Sequence, residues 1–509
     1  MGSLLMVGLQ APAQEAGGEV EQLRKQLQEM KSGFERAQQL QREQIEGLQK
    51  QLDAMQRQQA GGETFNIQHS TSNAQLAVGK GGGVVEGTWK PADPIRVGKA
   101  GTYVDISLDG LFAAGGSTAN DIEGGTQLGG HDPNQRGFTL QNVELTFSGA
   151  VDPYFRGQAN VVLQIDSAGE SFLELEETFL ETTSLPGNLQ VKAGQFFTEF
   201  GRLNTQHPHA WSFVDQPLVN GRFLGADGLR NPGARVSWLA PTPFYSELFF
   251  AVQNSHGETA SSFRSGGHAH GGGEEEGIPF GYRHADNDRG VSGVGDMLFT
   301  PRLATSFELT DTQTLLLGAS AAFGPNSNGS GGDTATQIYG VDAYWKWKPA
   351  NAHGGFPFVS WQTEAMLRRY ELGSFDWQEE ADAGETPVID EGTGLPAALA
   401  RETVTDYGFY SQVLYGFRKG WVAGVRVDYL AGKTGDYEKL DLTFDGESLG
   451  RDPQRNDRWR VSPNLTWYPS EFSKIRLQYN YDDRWDAGVD HSVWLQFEFL
   501  LGAHAAHKF

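Results

Sequence analysis

The stretch VWLQFEFLLGAHAAHKF, residues 493–509, decides the fold. Val493, Leu495, Phe497, Phe499, Leu501, Ala503 and Ala505 fall on one side of an extended chain. Gln496, Glu498, His504 and Lys508 fall on the other. Successive side chains of a strand point to opposite faces, so one face suits hydrocarbon and the other suits water. An edge strand of a soluble sandwich would alternate in the same way. The rest of the chain separates these two readings.

Composition narrows the choice. The 509 residues include 66 Gly, 31 Phe, 15 Tyr and 12 Trp, and only 38% are hydrophobic. No run approaches the roughly 18 apolar residues that a membrane helix needs. A membrane barrel conceals its apolar content, because every second residue faces a wet lumen. The absence of Cys removes disulfides, thiolate chemistry and Cys-ligated metals. A net charge of −24 argues against nucleic acid as a partner.

From residue 102 onward the chain breaks into alternating segments. We place strands at 102–112, 137–151, 154–166, 172–182, 188–196, 233–241, 244–254, 296–310, 313–324, 334–349, 355–372, 402–418, 420–431, 456–469, 472–483 and 489–509. Sixteen is even, as single-chain outer-membrane barrels require. The connections sort by parity. Asp152-Pro153, Asp311-Thr312 and Arg418-Lys419 are short, whereas 113–136, 197–232, 255–295, 373–401 and 432–455 are long. Short turns on one rim and long loops on the other are the asymmetry of these barrels. The expected fold is therefore an all-β, 16-stranded antiparallel transmembrane barrel over 102–509. Strand 172–182 breaks the pattern, because Leu173 and Leu175 are out of phase with Leu180, which predicts either a bulge or a different strand boundary.

The N-terminal segment reads differently. Residues 1–13 have the apolar run and the Ala11-Pro12-Ala13 step of a secretory-leader remnant. Residues 14–60 carry a heptad seam through Val20, Leu23, Leu27, Met30, Phe34 and Ala37, resumed at Ile45, Leu48, Leu52 and Met55. Such a seam cannot bury itself alone, so self-association is expected. Residues 61–101 read as a Gly- and Ser-rich connector, either a linker or a segment tucked at the barrel mouth. With both barrel termini on the short-turn rim, the stalk is expected in the periplasm.

Residues 175–203 read LEETFLETTSLPGNLQVKAGQFFTEFGRL. A strand, a short turn and a second strand lead into Gly194-Gln195-Phe196 and then Phe200-Gly201, which resembles the porin O/P family of phosphate-selective outer-membrane porins. The heptad segment and the terminal Phe509 are also similar to that family. The resemblance implies a homotrimeric channel in the outer-membrane lipid, with residues 197–232 folding into the pore as a constriction. No anion-binding residue is carried over from it.

The predicted wet face supplies candidate pore-lining groups. Lys192, Arg235, Arg302, Arg426, Arg458, Arg460, Lys474 and Arg476 form a basic set, joined by Arg202 and Arg222 from the constriction candidate. Asp105, Asp109 and Glu144 oppose them. Opposed walls of charge set up a transverse field that biases ion passage. His268, His270, Glu274, Glu275 and His284 in a Gly-rich loop offer zinc or copper ligands. His207-Pro208-His209 is a weaker pair. No catalytic motif and no cofactor is expected. The function read from the sequence is passive diffusion of ions and small polar solutes, with an anion or phosphate bias. Two rivals are a structural tether reaching peptidoglycan or a periplasmic partner through the stalk, and a metal-oriented channel using the His/Glu loop.

Overall fold

The computed structural model describes residues 95–99, 102–150, 152–166, 168–264, 279–286, 290–485 and 487–502. The expectations for the leader, the stalk, most of the linker, His268, His270, Glu274, Glu275 and the terminal residues 503–509 lie outside them.

A short strand β1 (Ile95–Lys99) precedes sixteen long ones. These are β2 (Thr102–Ser117), β3 (Gly137–Ala150), β4 (Phe155–Ile165), β5 (Ser171–Thr182), β6 (Leu189–Phe197), β7 (Arg230–Leu239), β8 (Tyr245–Asn254) and β9 (Met297–Thr310). They continue as β10 (Gln313–Pro325), β11 (Ala335–Trp347), β12 (Phe358–Leu372), β13 (Glu402–Arg418), β14 (Trp421–Gly432), β15 (Arg458–Ser470), β16 (Ser473–Arg484) and β17 (Gly488–Leu501). Each pairs antiparallel with the next, and β17 closes on β2 from Leu108↔Leu501 to Ser117↔Ser492. Closure leaves none of the sixteen barrel strands at a sheet edge, although β5 and β6 pair only from Thr178↔Gln195 to Glu181↔Lys192.

Alternation along each strand follows the sequence. On β16, Leu477 and Tyr479 are exposed outside, while Arg476, Gln478 and Asn480 are buried inside. On β17, Val493, Phe497 and Phe499 point outward and Gln496 inward, and Trp494 is buried against Ile122 and Val214. Neighbouring strands add Leu465, Val425, Val413 and Trp361 to the apolar exterior. Trp421 stacks on Trp467 with ring centroids 5.8 Å apart, beside one rim.

The linker contains a strand that the composition hid. β1 pairs with β2 from Ile95↔Ile106 to Lys99↔Thr102, the part of that edge that β17 leaves open below Leu108. Long-side connections are also less uniform than expected, since those after β4, β10 and β16 are short. The long loops pack on one another through Tyr282, Trp377, Val388, Leu399, Tyr437 and Leu442, a small core beside the barrel mouth.

Candidate functional site: the loop across the lumen

Residues 198–229 join β6 to β7 and run through the barrel interior. Their geometry begins with two glycines of the Gly194…Gly201 stretch. Gly194 has φ +136° and Gly201 φ +60°, both left-handed. A Cβ at Gly194 would strike the Thr178 carbonyl across the β5–β6 pair, and one at Gly201 would strike the Glu364 carboxylate. Glycine alone avoids both conflicts. Gly201→Ala is expected to cost about 1–3 kcal/mol, read as a lower unfolding midpoint in detergent. An unchanged midpoint would contradict the tight turn.

Beyond the turn, Leu203 N donates to Glu364 Oε1 at 2.8 Å and Gly201 N to Ser320 Oγ at 3.1 Å. A short helix, α1 (Leu218–Leu224), then packs on inward residues of β9 to β14. Leu218, Val219, Phe223 and Leu224 meet Leu298, Ala322, Ile338, Met366, Tyr410 and Leu430 in one apolar cluster. That cluster occupies lumen that alternation alone would assign to water.

Between turn and helix the loop reaches the wall built by β14, β15 and β16, where the predicted basic residues hold it. Arg426 donates to Asp215 Oδ1 at 2.6 Å and to the Asp215 carbonyl at 2.8 Å. Arg460 reaches Asp215 Oδ2 at 3.0 Å, Gln478 reaches Oδ1 at 2.8 Å, and Asn480 reaches Oδ2 at 2.9 Å. Asp215 is fully buried. Burial disfavours its charge, and the Arg426 and Arg460 guanidiniums outweigh that, so its carboxyl titrates below the ordinary range. Arg476 donates to the Phe213 and Trp211 carbonyls at 2.9 Å each, and Lys474 to the His209 carbonyl at 2.6 Å. Asp428 Oδ1 accepts from Leu218 N at 3.1 Å.

The other sequence candidates fall as follows. Arg458 pairs with Asp482 and donates to the carbonyls of Gly125 and Thr126, holding a second inward loop. Arg302 pairs with Asp342 at 2.6 Å, and Arg235 with Glu199 at 2.7 Å. Lys192 lies over the Phe179 ring, 4.0 Å from its centroid. Arg202 stacks over Tyr344 at 4.1 Å, and Arg222 on α1 donates to the Asn456 carbonyl at 2.7 Å. Asp109 is buried in the lumen, whereas Asp105 is bound by Arg96 of β1 at 2.7 Å. His284 packs between Phe375 and Trp377, away from the lumenal loop's anchors.

Two cavities flank residues 205–212 on the short-turn side. The first, about 380 Å³, is lined by Asp109, Glu144, Glu177, Glu181, Glu199, Arg156, Lys192, His207 and His209. The second, about 350 Å³, is lined by Arg202, Tyr344, Gln362, Gln412, Lys474, Glu471 and Glu498.

Sequence reasoning missed Asp215, Asp428 and Asp482 as partners of the basic set, and Glu176 and Glu177 as lumenal acids. The bulge anticipated near 172–182 was the available signal. Asn160 pairs with Glu177 and Val161 with Leu175, so Glu176 is the extra residue and both glutamates turn inward. A matching irregularity in β3 turns Gln141 and Asn142 inward together. Gln141 uses this to donate to the Val214 carbonyl of the lumenal loop at 3.0 Å.

No protein-family profile matches the sequence. An uncharacterized protein of Aquifex aeolicus is 30% identical over 401 residues, covering 75% of this chain and 73% of the relative. The chain belongs to that protein's family. Among solved structures, the chain is similar to the outer membrane channel DcaP of Acinetobacter baumannii, with TM-score 0.47 and 12% identity over 79% of this chain and 99% of that one. It is also similar to an anion-selective porin from Comamonas acidovorans, with TM-score 0.44 and 8% identity over 78% of this chain and 100% of that one. For OprB of Pseudomonas putida the TM-score is 0.43, with 11% identity over 78% and 94% of the two chains.

Proposed function

We propose that this protein is an outer-membrane porin of the porin O/P kind, passing ions and small polar solutes down their gradients. One observation carries the reading: a closed barrel is apolar outside and polar inside, and an inward loop narrows it beside two polar cavities. An exterior bearing Leu477, Phe497, Val425 and Trp361 suits lipid, and closure satisfies the backbone there. Residues 198–229 act as the constriction in this proposal.

Selectivity follows the charges at the two cavities. Carboxylates dominate the first, so the anion or phosphate bias is assigned to the second, where Arg202 faces the cavity and Lys474 is paired with Glu498. The heptads support self-association through a periplasmic stalk, and the trimer is carried from the family resemblance.

Recordings of the purified protein in planar bilayers test the proposal. Steady ionic current with a chloride-leaning reversal potential in a salt gradient is the expected result. No current would sink the porin reading. A potassium-leaning potential would keep the channel and remove the anion bias.

A further inference from the structure

A second cluster of ionisable groups, separate from the Asp215 anchor, sits where β3 and the β5 bulge meet residues 205–210. His207 Nδ1 lies 2.7 Å from Glu176 Oε2 and 3.3 Å from Glu144 Oε2. One ligand atom from each of Glu144, Glu176 and His207 lies within 4.8 Å of the others. Beside them, His209 Nδ1 is 3.2 Å from Glu144 Oε2, and His131 Nε2 is 3.6 Å from the far oxygen of Glu176.

Glu176 supplies the independent observation. It is 0% exposed, and histidine nitrogens are the groups that face its oxygens: His207 at 2.7 Å and His131 at 3.6 Å, neither with hydrogen-bond geometry. Buried carboxylates are ordinarily satisfied by donors or by a cation. Two histidines stand against Glu176, and each offers a nitrogen lone pair when neutral. The bulge reinforces the point. Alternation from Leu173 and Leu175 sends Glu176 inward, and the inserted residue keeps Glu177 on the same side, so two carboxylates meet His207.

We propose that Glu144, Glu176 and His207 form a lumenal binding site for a divalent transition-metal ion of the zinc class. One imidazole nitrogen and two carboxylate oxygens are a zinc-type donor set with a fourth position left open. Ligand atoms about 2.1 Å from a tetrahedral ion stand roughly 3.4 Å apart, close to the 3.3 Å between His207 and Glu144, and the 2.7 Å between His207 and Glu176 would open to admit the ion. Calcium is disfavoured, because it takes six to eight oxygens. The ion would tie the lumenal loop, through His207, to the β3 and β5 wall. Glu144 and His207 also line the first cavity, which gives the ion a route in. This site is distinct from the His/Glu loop around residues 268–284.

The test is metal content of the full-length protein, stripped with a chelator, exposed to zinc alone and dialysed. One zinc per chain is expected, retained when residues 265–278 are deleted and weakened at least tenfold by His207→Gln and by Glu176→Gln. Calcium in place of zinc should not be retained. No stoichiometric zinc would overturn the site and leave His207 an imidazolium among carboxylates. Retention in His207→Gln, or loss on deleting 265–278, would overturn it too. If a variant fails to fold, as judged by heat-modifiable migration, zinc-edge anomalous diffraction from wild-type crystals decides. A peak between Glu176 and His207 supports the site, and a peak elsewhere or none rejects it. Metal content is read without any current, so failure of the channel reading leaves this result standing.

Discussion

Asp215→Ala is expected to free the lumenal loop and raise single-channel conductance. Five bonds from Arg426, Arg460, Gln478 and Asn480 converge on Asp215, four on its carboxylate and one on its carbonyl. Removing one partner of a buried ion pair costs about 3–5 kcal/mol, because the other charge stays buried. Here the low end applies. Arg426 keeps Asp428 at 2.8 Å and Arg460 keeps Asp482 at 2.6 Å. The loss falls on the loop, since the strand ladders of β14 to β16 do not involve the Asp215 side chain. The barrel should therefore remain heat-modifiable in detergent gels, while residues 198–229 become sensitive to protease. Asp215→Asn should lie between, keeping an acceptor and losing the charge. Unchanged conductance with a protected loop would show that the anchor lies elsewhere.

Leu477→Arg carries the other large effect, and it tests the membrane reading directly. Leu477 sits midway along β16, 49% exposed, beside Leu465 of β15 and Leu495 of β17. On a soluble protein, an exposed leucine changed to arginine moves stability by little, within about 0.5 kcal/mol. At the centre of a lipid-facing band the same change costs about 2–4 kcal/mol. Urea titration of the protein folded into lipid vesicles would show the difference. A cost near zero would mean that this surface does not face hydrocarbon. Gln478→Arg, one residue on, is no control, since Gln478 points inward and donates to Asp215.

Much of the barrel was legible because strand alternation is a local property. Ile475, Leu477 and Tyr479 alternate with Arg476, Gln478 and Asn480, and no distant residue is needed to read this. The sixteen expected strands correspond to β2 through β17, with ends shifted by a few residues, and residues 503–509 of the last expected strand lie outside the described residues. The basic residues were also legible as inward-facing. Their partners were not. Asp215 lies 211 residues from Arg426 and 245 from Arg460, and only the curvature of the closed sheet brings them together. A strand's two-residue period carries no information about which loop enters the lumen, so the apolar pocket for α1 stayed hidden. Met366 and Ile338 face inward and are covered by Phe223 and Leu224 in the cluster they share.

The Glu176 bulge lies between these cases. Its phase break is visible in Leu173, Leu175 and Leu180, but its purpose depends on where His207 arrives. Sequence by itself determined the sixteen barrel strands and most of their inner and outer faces, but neither β1 nor the short connections after β4, β10 and β16. Strands and faces follow from backbone geometry and solvent preference residue by residue. Tertiary structure alone decided that residues 198–229 cross the lumen, which charges pair, and which histidine meets Glu144 and Glu176. Those outcomes depend on closure of the sheet, which sets distances between residues that no local period relates.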